Sequence, residues 1–298
     1  MKAADAFGTV LTAMVTPFTR DGSAIDFNAA AQLAVDLVNL GNNGLVVNGT
    51  TGESPTTDER EKLALLRCVI EAVGDRARII AGAGSNDTAH SVLLAKDAAA
   101  AGAHGLLVVT PYYNKPPQTG VIAHMHAVAD ATDLPVMLYD IPGRAGIPIT
   151  TESLLRLAQH PRILANKDAK GDPWAASHVM AQCDLAYYSG DDGLNLALLA
   201  VGAIGVVSVT GHIVADRHLQ MVQAAAAGDL HTAQRVNRTL VPVTEGVMTR
   251  AGGAIMVKAA LDLLGRPGGG ALRLPLVPAT ADQVDQLRAD LRAGGFDL

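Results

Sequence analysis

A lysine stands at the end of a short apolar run, where a primary amine is placed to act as a nucleophile. The run is Ile163-Leu164-Ala165-Asn166-Lys167, and the whole chain has only seven lysines. An ordinary lysine has a pKa of about 10.4 and is protonated at neutral pH, but removal from water lowers that pKa and frees the amine to form an imine. Lys170 is the alternative. We favour Lys167, because Lys170 falls in the following loop, where water keeps an amine protonated.

Hydroxyl groups and polar turns follow other apolar runs. Tyr112, Tyr113 and Tyr139 lie at the ends of two such runs, in a chain with only 3% aromatic residues. A single tyrosine there is more often a half-buried packing residue, but three together with a lysine favour a site that moves protons. The turn over residues 48–54 offers backbone N–H groups and hydroxyls that suit a carboxylate. A second turn, Ser189-Gly190-Asp191-Asp192, carries an acidic pair that argues against a phosphate ligand.

Composition and charge exclude several kinds of partner. The formal net charge is -6 and the basic residues form no run, so we expect no nucleic-acid ligand. No segment approaches the roughly 18 consecutive apolar residues of a membrane span, and the first residues do not resemble a signal peptide. The nine histidines are scattered, and His124 and His126 are two apart on a predicted helix, where their side chains point apart. We therefore expect a cytoplasmic protein with a small ligand and no metal.

Eight apolar runs alternate with stretches of helical periodicity, which predicts an α/β fold. The runs lack the polar alternation of a half-exposed sheet, so a parallel sheet covered on both faces is indicated, and eight units predict a closed (β/α)8 TIM barrel. An open doubly wound sheet is the alternative, but the first run leads into Thr16-Pro17-Phe18 and not into a GxGxxG turn. The runs are Val10 to Val15, Gly44 to Asn48, Ala77 to Ala81, Gly105 to Thr110, Pro135 to Asp140, Ile163 to Lys167, Ala186 to Ser189 and Gly205 to Ser208.

The same pattern predicts two parts of the chain. Residues 1–227 form the catalytic barrel, and residues 228–298, where the strand signals stop, form a C-terminal extension of three helices. Active sites of such barrels lie at the carboxyl ends of the strands, so the lysine, the tyrosines and the polar turns are expected to meet at one end. The helices of the extension are predicted at Asp229 to Met248, Ala254 to Leu264 and Ala281 to Ala293.

These motifs together resemble the dihydrodipicolinate synthase and N-acetylneuraminate lyase family of pyruvate-dependent class I aldolases. The resemblance covers essentially the whole chain, and its motifs occur in the family's order and at similar spacing. They are Gly49-Thr50-Thr51-Gly52-Glu53, Tyr112-Tyr113, Tyr139 with Pro142, Lys167, and Ser189-Gly190-Asp191-Asp192. The resemblance implies a barrel, a covalent imine between pyruvate and Lys167 without any cofactor, and a homotetramer built from two dimers.

The resemblance also implies roles for individual residues. Tyr139, Thr50 and Tyr113 would relay protons, and Tyr113 would reach in from a neighbouring subunit. The pyruvate end would be held by Thr51 and by the backbone around Gly190 and Val207.

Arg144 separates two branches of this family. A guanidinium can bind the carboxylate of L-aspartate 4-semialdehyde, so Arg144 favours the dihydrodipicolinate synthase branch. The alternative is a related aldolase or lyase that acts on a 2-keto-3-deoxy sugar acid or sialic acid, and Arg144 counts against it. A homologue without catalytic activity, serving as a sensor or structural subunit, would be expected to lose Lys167 or Tyr139, and both are present.

Many family members are inhibited by lysine at a dimer interface. In this chain the matching position 90 carries a histidine, where sensitive relatives typically have an acidic group that holds the ammonium of the ligand. Loss of a charge-assisted hydrogen bond predicts weak or absent lysine feedback. The matching residues are Ser54, Glu59, Lys62, Asn86, His90 and Tyr112.

Overall fold

Eight short parallel strands pair in sequence order, and the last pairs back with the first, so that the sheet closes into a barrel. The computed structural model describes residues 1–298. The predicted (β/α)8 barrel is confirmed, and the open doubly wound alternative is wrong. The strands are β1 (Val10–Ala13), β2 (Gly44–Val47), β3 (Arg78–Gly82), β4 (Gly105–Val109), β5 (Val136–Asp140), β6 (Ile163–Asp168), β7 (Ala186–Ser189) and β8 (Gly205–Ser208).

Helices cover the outer face of the barrel, which is why both faces of the strands are apolar. Several of the helices begin at a side-chain cap. The Asp58 carboxylate accepts a hydrogen bond from the Glu61 N–H, and Glu61 accepts one from the Asp58 N–H, so the third helix starts at a defined residue. The helices are α1 (Ala3–Phe7), α2 (Phe27–Asn39), α3 (Glu59–Val73), α4 (Thr88–Ala101), α5 (Gln118–Asp130), α6 (Pro142–Ala145), α7 (Thr151–Leu157), α8 (Pro173–Met180), α9 (Asn195–Ala200), α10 (Gly211–Ala226), α11 (Leu230–Met248), α12 (Gly253–Leu263) and α13 (Ala281–Ala293).

Apolar side chains fill the barrel interior below its upper end, the end at which the carboxyl ends of the strands lie. At the lower end, Phe7 of α1 packs edge-on against Tyr188, with ring centroids 6.4 Å apart. The Tyr188 hydroxyl donates a hydrogen bond of 2.7 Å to the Gly8 carbonyl, so its polar atom is satisfied inside the core. Because this end is closed, only the carboxyl ends of the strands remain open to a ligand. Side chains in the same buried cluster include Leu11, Val46, Ile80, Leu107, Met137, Tyr139, Ala165 and Val207.

The C-terminal extension, residues 228–298, lies against the barrel helices. In it, α11 packs on α10 and on α13, while α12 contacts α10, α11 and α13. The buried side chains of α12 include Met256, Val257, Lys258 and Leu261, and the lysine among them faces the loops at the upper end of the barrel. None of the helices has both the length and the apolar character needed to cross a lipid bilayer. The division into a barrel and an extension at residue 227 stays a prediction.

Closure of the barrel depends on close backbone contact between β8 and the residue before β1. A Cβ atom added at Gly205 would lie 2.2 Å from the Thr9 carbonyl oxygen, so any side chain there would push β8 away from the residue before β1. We expect Gly205→Ala to lower the free energy of unfolding by about 1–3 kcal/mol, as overpacking of a core does. Denaturant unfolding measures the change. Gly143→Ala, whose added Cβ meets no atom within 4 Å, is the matched control, and equal stability of the two variants would contradict the expectation.

Candidate active site

Lys167 lies on β6 between two tyrosine-bearing strands. Its register partners are Tyr139 on β5 and Tyr188 on β7, and its amine nitrogen lies 4.0 Å from the centroid of the Tyr139 ring. The residue is only 5% exposed. Burial lowers the pKa of Lys167 to about 8; Asp192 opposes this shift, and the charge of Arg144 adds to it. A substantial fraction of the amine is therefore neutral near physiological pH.

Gly190 packs directly against the lysine side chain. A Cβ atom at this position would lie 2.8 Å from Cγ and 2.9 Å from Cε of Lys167, so a larger residue would displace the amine. The Gly190 N–H donates a 2.7 Å hydrogen bond to the carbonyl of Asp168, which ties the turn after β7 to the end of β6. This backbone contact lets Gly190 come within van der Waals distance of Lys167.

Lys170 is not solvated, and the reason given above for disfavouring it is wrong. Its side chain is only 14% exposed, and its amine lies 3.6 Å from the buried Asp140 carboxylate. The Asp168 carboxylate accepts a hydrogen bond from the Lys170 N–H at 2.9 Å. The loop after β6 thus folds back on the ends of β5 and β6, which the sequence did not indicate. Lys167 remains the better candidate nucleophile, because it lies at the strand end against the Tyr139 ring and burial lowers its pKa.

Tyr139 brings a phenol to the lysine. The residue is buried, and burial raises its pKa to about 12, an effect that the charge of Arg144 and the neighbouring Thr50 hydroxyl partly offset. The phenol therefore stays protonated at neutral pH and can donate a proton. The lowered pKa of Lys167 is the shift that a nucleophilic amine requires, and the neighbouring phenol is in its protonated form.

The turn after β2 carries Thr50 and Thr51. It is held by a hydrogen bond from the Gly52 N–H to the Gly49 carbonyl and by one from the Glu53 N–H to the Thr50 carbonyl, each 3.1 Å long. The Thr16 hydroxyl, which follows β1, donates a 2.6 Å hydrogen bond to the Gly52 carbonyl. A hydrogen bond from the segment after β1 therefore helps to fix the position of the two threonines.

A cavity of about 610 Å³ opens at this end of the barrel. Four of the predicted site residues line it, namely Thr50, Tyr113, Tyr139 and Arg144. The other four, Lys167, Thr51, Gly190 and Val207, are not part of its lining. Lys167 lies against the Tyr139 ring, with Gly190 beside it, while Val207 belongs to the apolar interior of the barrel. The cavity is large enough for two small carboxylic acids.

Tyr113 is exposed within a single chain. Its exposed fraction is 87%, and its hydroxyl makes no hydrogen bond. The backbone φ angle of 72° lies in the left-handed region, which costs a bulky residue conformational energy. The loop is fixed next to it, where the Asn114 side-chain amide donates a 2.9 Å hydrogen bond to the Asn86 carbonyl. The chain therefore presents this ring outward in a defined conformation.

The sequence did not indicate the position of Asp192. Its carboxylate turns inward and accepts hydrogen bonds from the N–H groups of Val209 and Thr210 at 2.9 and 2.8 Å. Burial raises the pKa of Asp192, but the charge of His218 and the hydrogen bonds outweigh that effect and lower it. An ionised carboxylate thus lies close enough to Lys167 to stabilise a positive charge there. Its only sequence signal was an acidic pair at a strand end.

The six residues of the predicted lysine-binding set line the same cavity beside the candidate active site. His90 is paired with Glu59, with 3.3 Å between the imidazole Nε2 and a carboxylate oxygen. The buried Lys62 amine donates a hydrogen bond to the Thr57 carbonyl, and burial lowers its pKa. The one carboxylate of this set is therefore already in contact with a side chain of the protein.

No group of three or more histidine, cysteine, aspartate or glutamate side chains is arranged to hold a metal ion. His124 and His126 lie on α5, as predicted, and the His124 ring shares a 3.0 Å hydrogen bond with the Thr88 hydroxyl.

Comparison with known proteins gives a consistent result over the full chain. Residues 6–294 match a family model described as the dihydrodipicolinate synthetase family. A curated protein of Kineococcus radiotolerans, named 4-hydroxy-tetrahydrodipicolinate synthase, is 59% identical over 97% of this chain and 94% of its own. A Streptomyces coelicolor protein, named 4-hydroxy-tetrahydrodipicolinate synthase 2, is 59% identical over 98% of this chain and 97% of its own.

A solved structure shares the same fold in detail. The dihydrodipicolinate synthase of Cyanidioschyzon merolae, crystallised with lysine bound, superposes with a TM-score of 0.94 at 42% identity. The superposition covers 97% of this chain and 99% of that one.

The lowered pKa of Lys167 is directly measurable. Reductive methylation with formaldehyde and cyanoborohydride requires a neutral amine, so we expect methylation of Lys167 to rise with pH around a midpoint of about 8. Peptide mass spectrometry across a pH series gives the midpoint, with the exposed Lys96 as the internal reference for reagent reactivity. A midpoint above about 10, as for an ordinary lysine, would contradict the desolvated amine.

Proposed function

The chain belongs to the dihydrodipicolinate synthetase family, and we propose that it condenses pyruvate with L-aspartate 4-semialdehyde through a Schiff base on Lys167. It is an enzyme of the lyase class, and its product is 4-hydroxy-tetrahydrodipicolinate, on the route to diaminopimelate and lysine. The observation that carries the proposed mechanism is a buried lysine whose pKa is lowered to about 8, in contact with a protonated tyrosine.

The Lys167 amine begins the reaction. At pH 7, a pKa of about 8 leaves roughly one amine in ten neutral, against fewer than about one in a thousand for an ordinary lysine. The neutral amine attacks the keto carbon of pyruvate, and loss of water gives the imine. The imine then loses a methyl proton to become an enamine, whose carbon attacks the aldehyde of the second substrate. Attack of that substrate's amine on the imine carbon closes the ring and expels the Lys167 amine.

Each of these steps moves a proton. Tyr139 is buried and protonated, so its phenol donates to the developing hydroxyl of the carbinolamine and to the new alkoxide. Thr50 lies beside that phenol and passes the proton on. Tyr113 completes the relay from a neighbouring subunit, which explains an exposed ring held in a defined conformation. The active assembly is a homotetramer, in which each tight dimer exchanges this tyrosine.

Two groups of residues distinguish the two carboxylates. Thr51 and the backbone around Gly190 and Val207 hold the carboxylate of pyruvate, next to Lys167. Arg144, which lines the cavity, binds the carboxylate of the aldehyde substrate in a bidentate manner. The covalent imine supplies the electron sink, so the reaction uses no cofactor. A biosynthetic enzyme of this kind acts in the cytoplasm.

Borohydride trapping tests the proposed function. We expect pyruvate and borohydride together to add one reduced pyruvate to the protein, at Lys167, and the untreated enzyme to turn over L-aspartate 4-semialdehyde. Lys167→Ala abolishes the adduct, whereas Lys170→Ala, a matched loss of the neighbouring amine, retains it. Intact-protein mass spectrometry reads the result. An adduct without turnover would assign a related aldolase, identified with a panel of aldehydes, and absence of any adduct would exclude Schiff-base chemistry.

Lysine feedback is expected to be weak or absent. An ammonium ligand needs an unoccupied carboxylate, and in this chain position 90 is a histidine that contacts Glu59. At about 10 mM lysine we expect less than a twofold loss of turnover, since one charge-assisted hydrogen bond is missing. His90→Glu supplies the carboxylate and is expected to introduce inhibition. Strong inhibition of the unchanged enzyme at sub-millimolar lysine would contradict this expectation.

A further inference from the structure

Glu53, in the turn after β2, directs its carboxylate to the C-terminal extension. Glu53 has φ and ψ angles of 56° and 37°, in the left-handed region that a residue with a side chain avoids unless contacts hold it there. Its carboxylate is buried. One oxygen accepts a hydrogen bond from the Lys258 amine at 2.6 Å, and the other accepts one from the Arg273 N–H at 2.9 Å. Both partners belong to the C-terminal extension.

Lys258 is among the most buried polar residues of the protein. It is 1% exposed on α12, and its amine also donates a 2.7 Å hydrogen bond to the Ala271 carbonyl. The amine lies 4.5 Å from the ring centroid of Phe18, in the loop after β1. Burial lowers the pKa of Lys258, and the hydrogen bond and charge of Glu53 oppose that shift. Removal of either charge would leave the other buried without its ionic partner.

Arg273 makes a second connection between the extension and the same loops. Its guanidinium binds both Glu61 oxygens at 2.6 and 2.7 Å and lies 4.3 Å from the Phe18 ring centroid. It also donates hydrogen bonds to the carbonyls of Gly22 and Thr56, at 2.9 and 2.8 Å. The loops after β1 and β2 are therefore both attached to residues more than two hundred positions later in the chain.

Thr50 and Thr51 lie between two fixed points. The turn leaves β2 at one side, and at the other side Glu53 is anchored by the extension while its N–H holds the Thr50 carbonyl at 3.1 Å. A shift of Glu53 would move Thr50 relative to Tyr139, and Thr51 relative to Lys167. A displacement of about 1 Å near the reacting atoms can lower the rate by about 100-fold.

We propose that Lys258, acting through Glu53, is a positioning residue that sets the place of Thr50 and Thr51 in the active site. The C-terminal extension thus contributes to catalysis without touching the substrate. This inference rests on the proposed function, since it takes Thr50 as part of the proton relay and Thr51 as a pyruvate ligand.

The two substrates give a readout that a merely structural ion pair would not move. Binding of pyruvate depends on Thr51 in the turn after β2. Binding of L-aspartate 4-semialdehyde depends on Arg144, which lies on the separate helix α6. We expect Lys258→Met to lower kcat and raise the KM for pyruvate, each by about 10-fold to 100-fold, while the KM for the aldehyde changes less than about twofold. Steady-state kinetics with each substrate varied in turn measures the split.

Two further variants make the test independent of folding. Glu53→Gln combined with Lys258→Met removes both buried charges, and we expect this pair to fold and to keep the kinetic defect. Arg250→Met breaks the 3.0 Å ion pair between Arg250 and Asp290, which lies within the extension and does not touch the turn, so it is the matched control. We expect that control to keep wild-type kinetics, with circular dichroism and thermal unfolding recorded for all variants.

The outcomes separate the inference from the proposed function. Wild-type kinetics in the folded double variant would overturn the positioning role, and so would the same split in Arg250→Met. Failure of both Lys258 variants to fold would make the pair a structural element and would also contradict it. Absence of turnover in the unchanged enzyme would refute the proposed function instead.

Discussion

Desolvation of one amine is the constraint on which the rest of this structure depends. A lysine in water is a poor nucleophile at neutral pH, and the barrel changes that by placing Lys167 on β6 above an apolar interior. The closed lower end, with Phe7 and Tyr188 packed against each other, excludes water from below. Gly190 permits close packing beside the lysine side chain, and the inward carboxylate of Asp192 lies close enough to stabilise a positive charge on Lys167.

A second requirement is that polar groups approach the desolvated Lys167 amine from one side only. The carboxyl ends of parallel strands provide it, because each strand delivers a different group to the same rim. Tyr139 comes from β5, Thr50 and Thr51 from the turn after β2, and Arg144 from the short helix after β5. None of these segments is long, so their positions are set by hydrogen bonds between loops. The C-terminal extension supplies one of those connections through the buried pair of Glu53 and Lys258.

Much of the fold could be predicted from the sequence, because strands buried on both faces are continuous apolar runs. Each of the eight runs contains most of an observed strand: two coincide with their strands, and the ends of the others differ by at most two residues. The positions of the candidate site residues at the strand ends could be predicted for the same reason. Long-range polar contacts were not, since nothing near Glu53 in the sequence indicates a partner 205 positions away. The contact of Lys170 with Asp140 was missed likewise, because it depends on how a loop folds back.

The most direct test of the central claim is a crystal structure of the enzyme treated with pyruvate and borohydride. The account predicts continuous electron density from the Lys167 nitrogen to the second carbon of the pyruvyl group, with the Tyr139 hydroxyl beside that carbon and the carboxylate at Thr51. Density on Lys170, or an unmodified Lys167 facing a pyruvate bound elsewhere in the cavity, would contradict it.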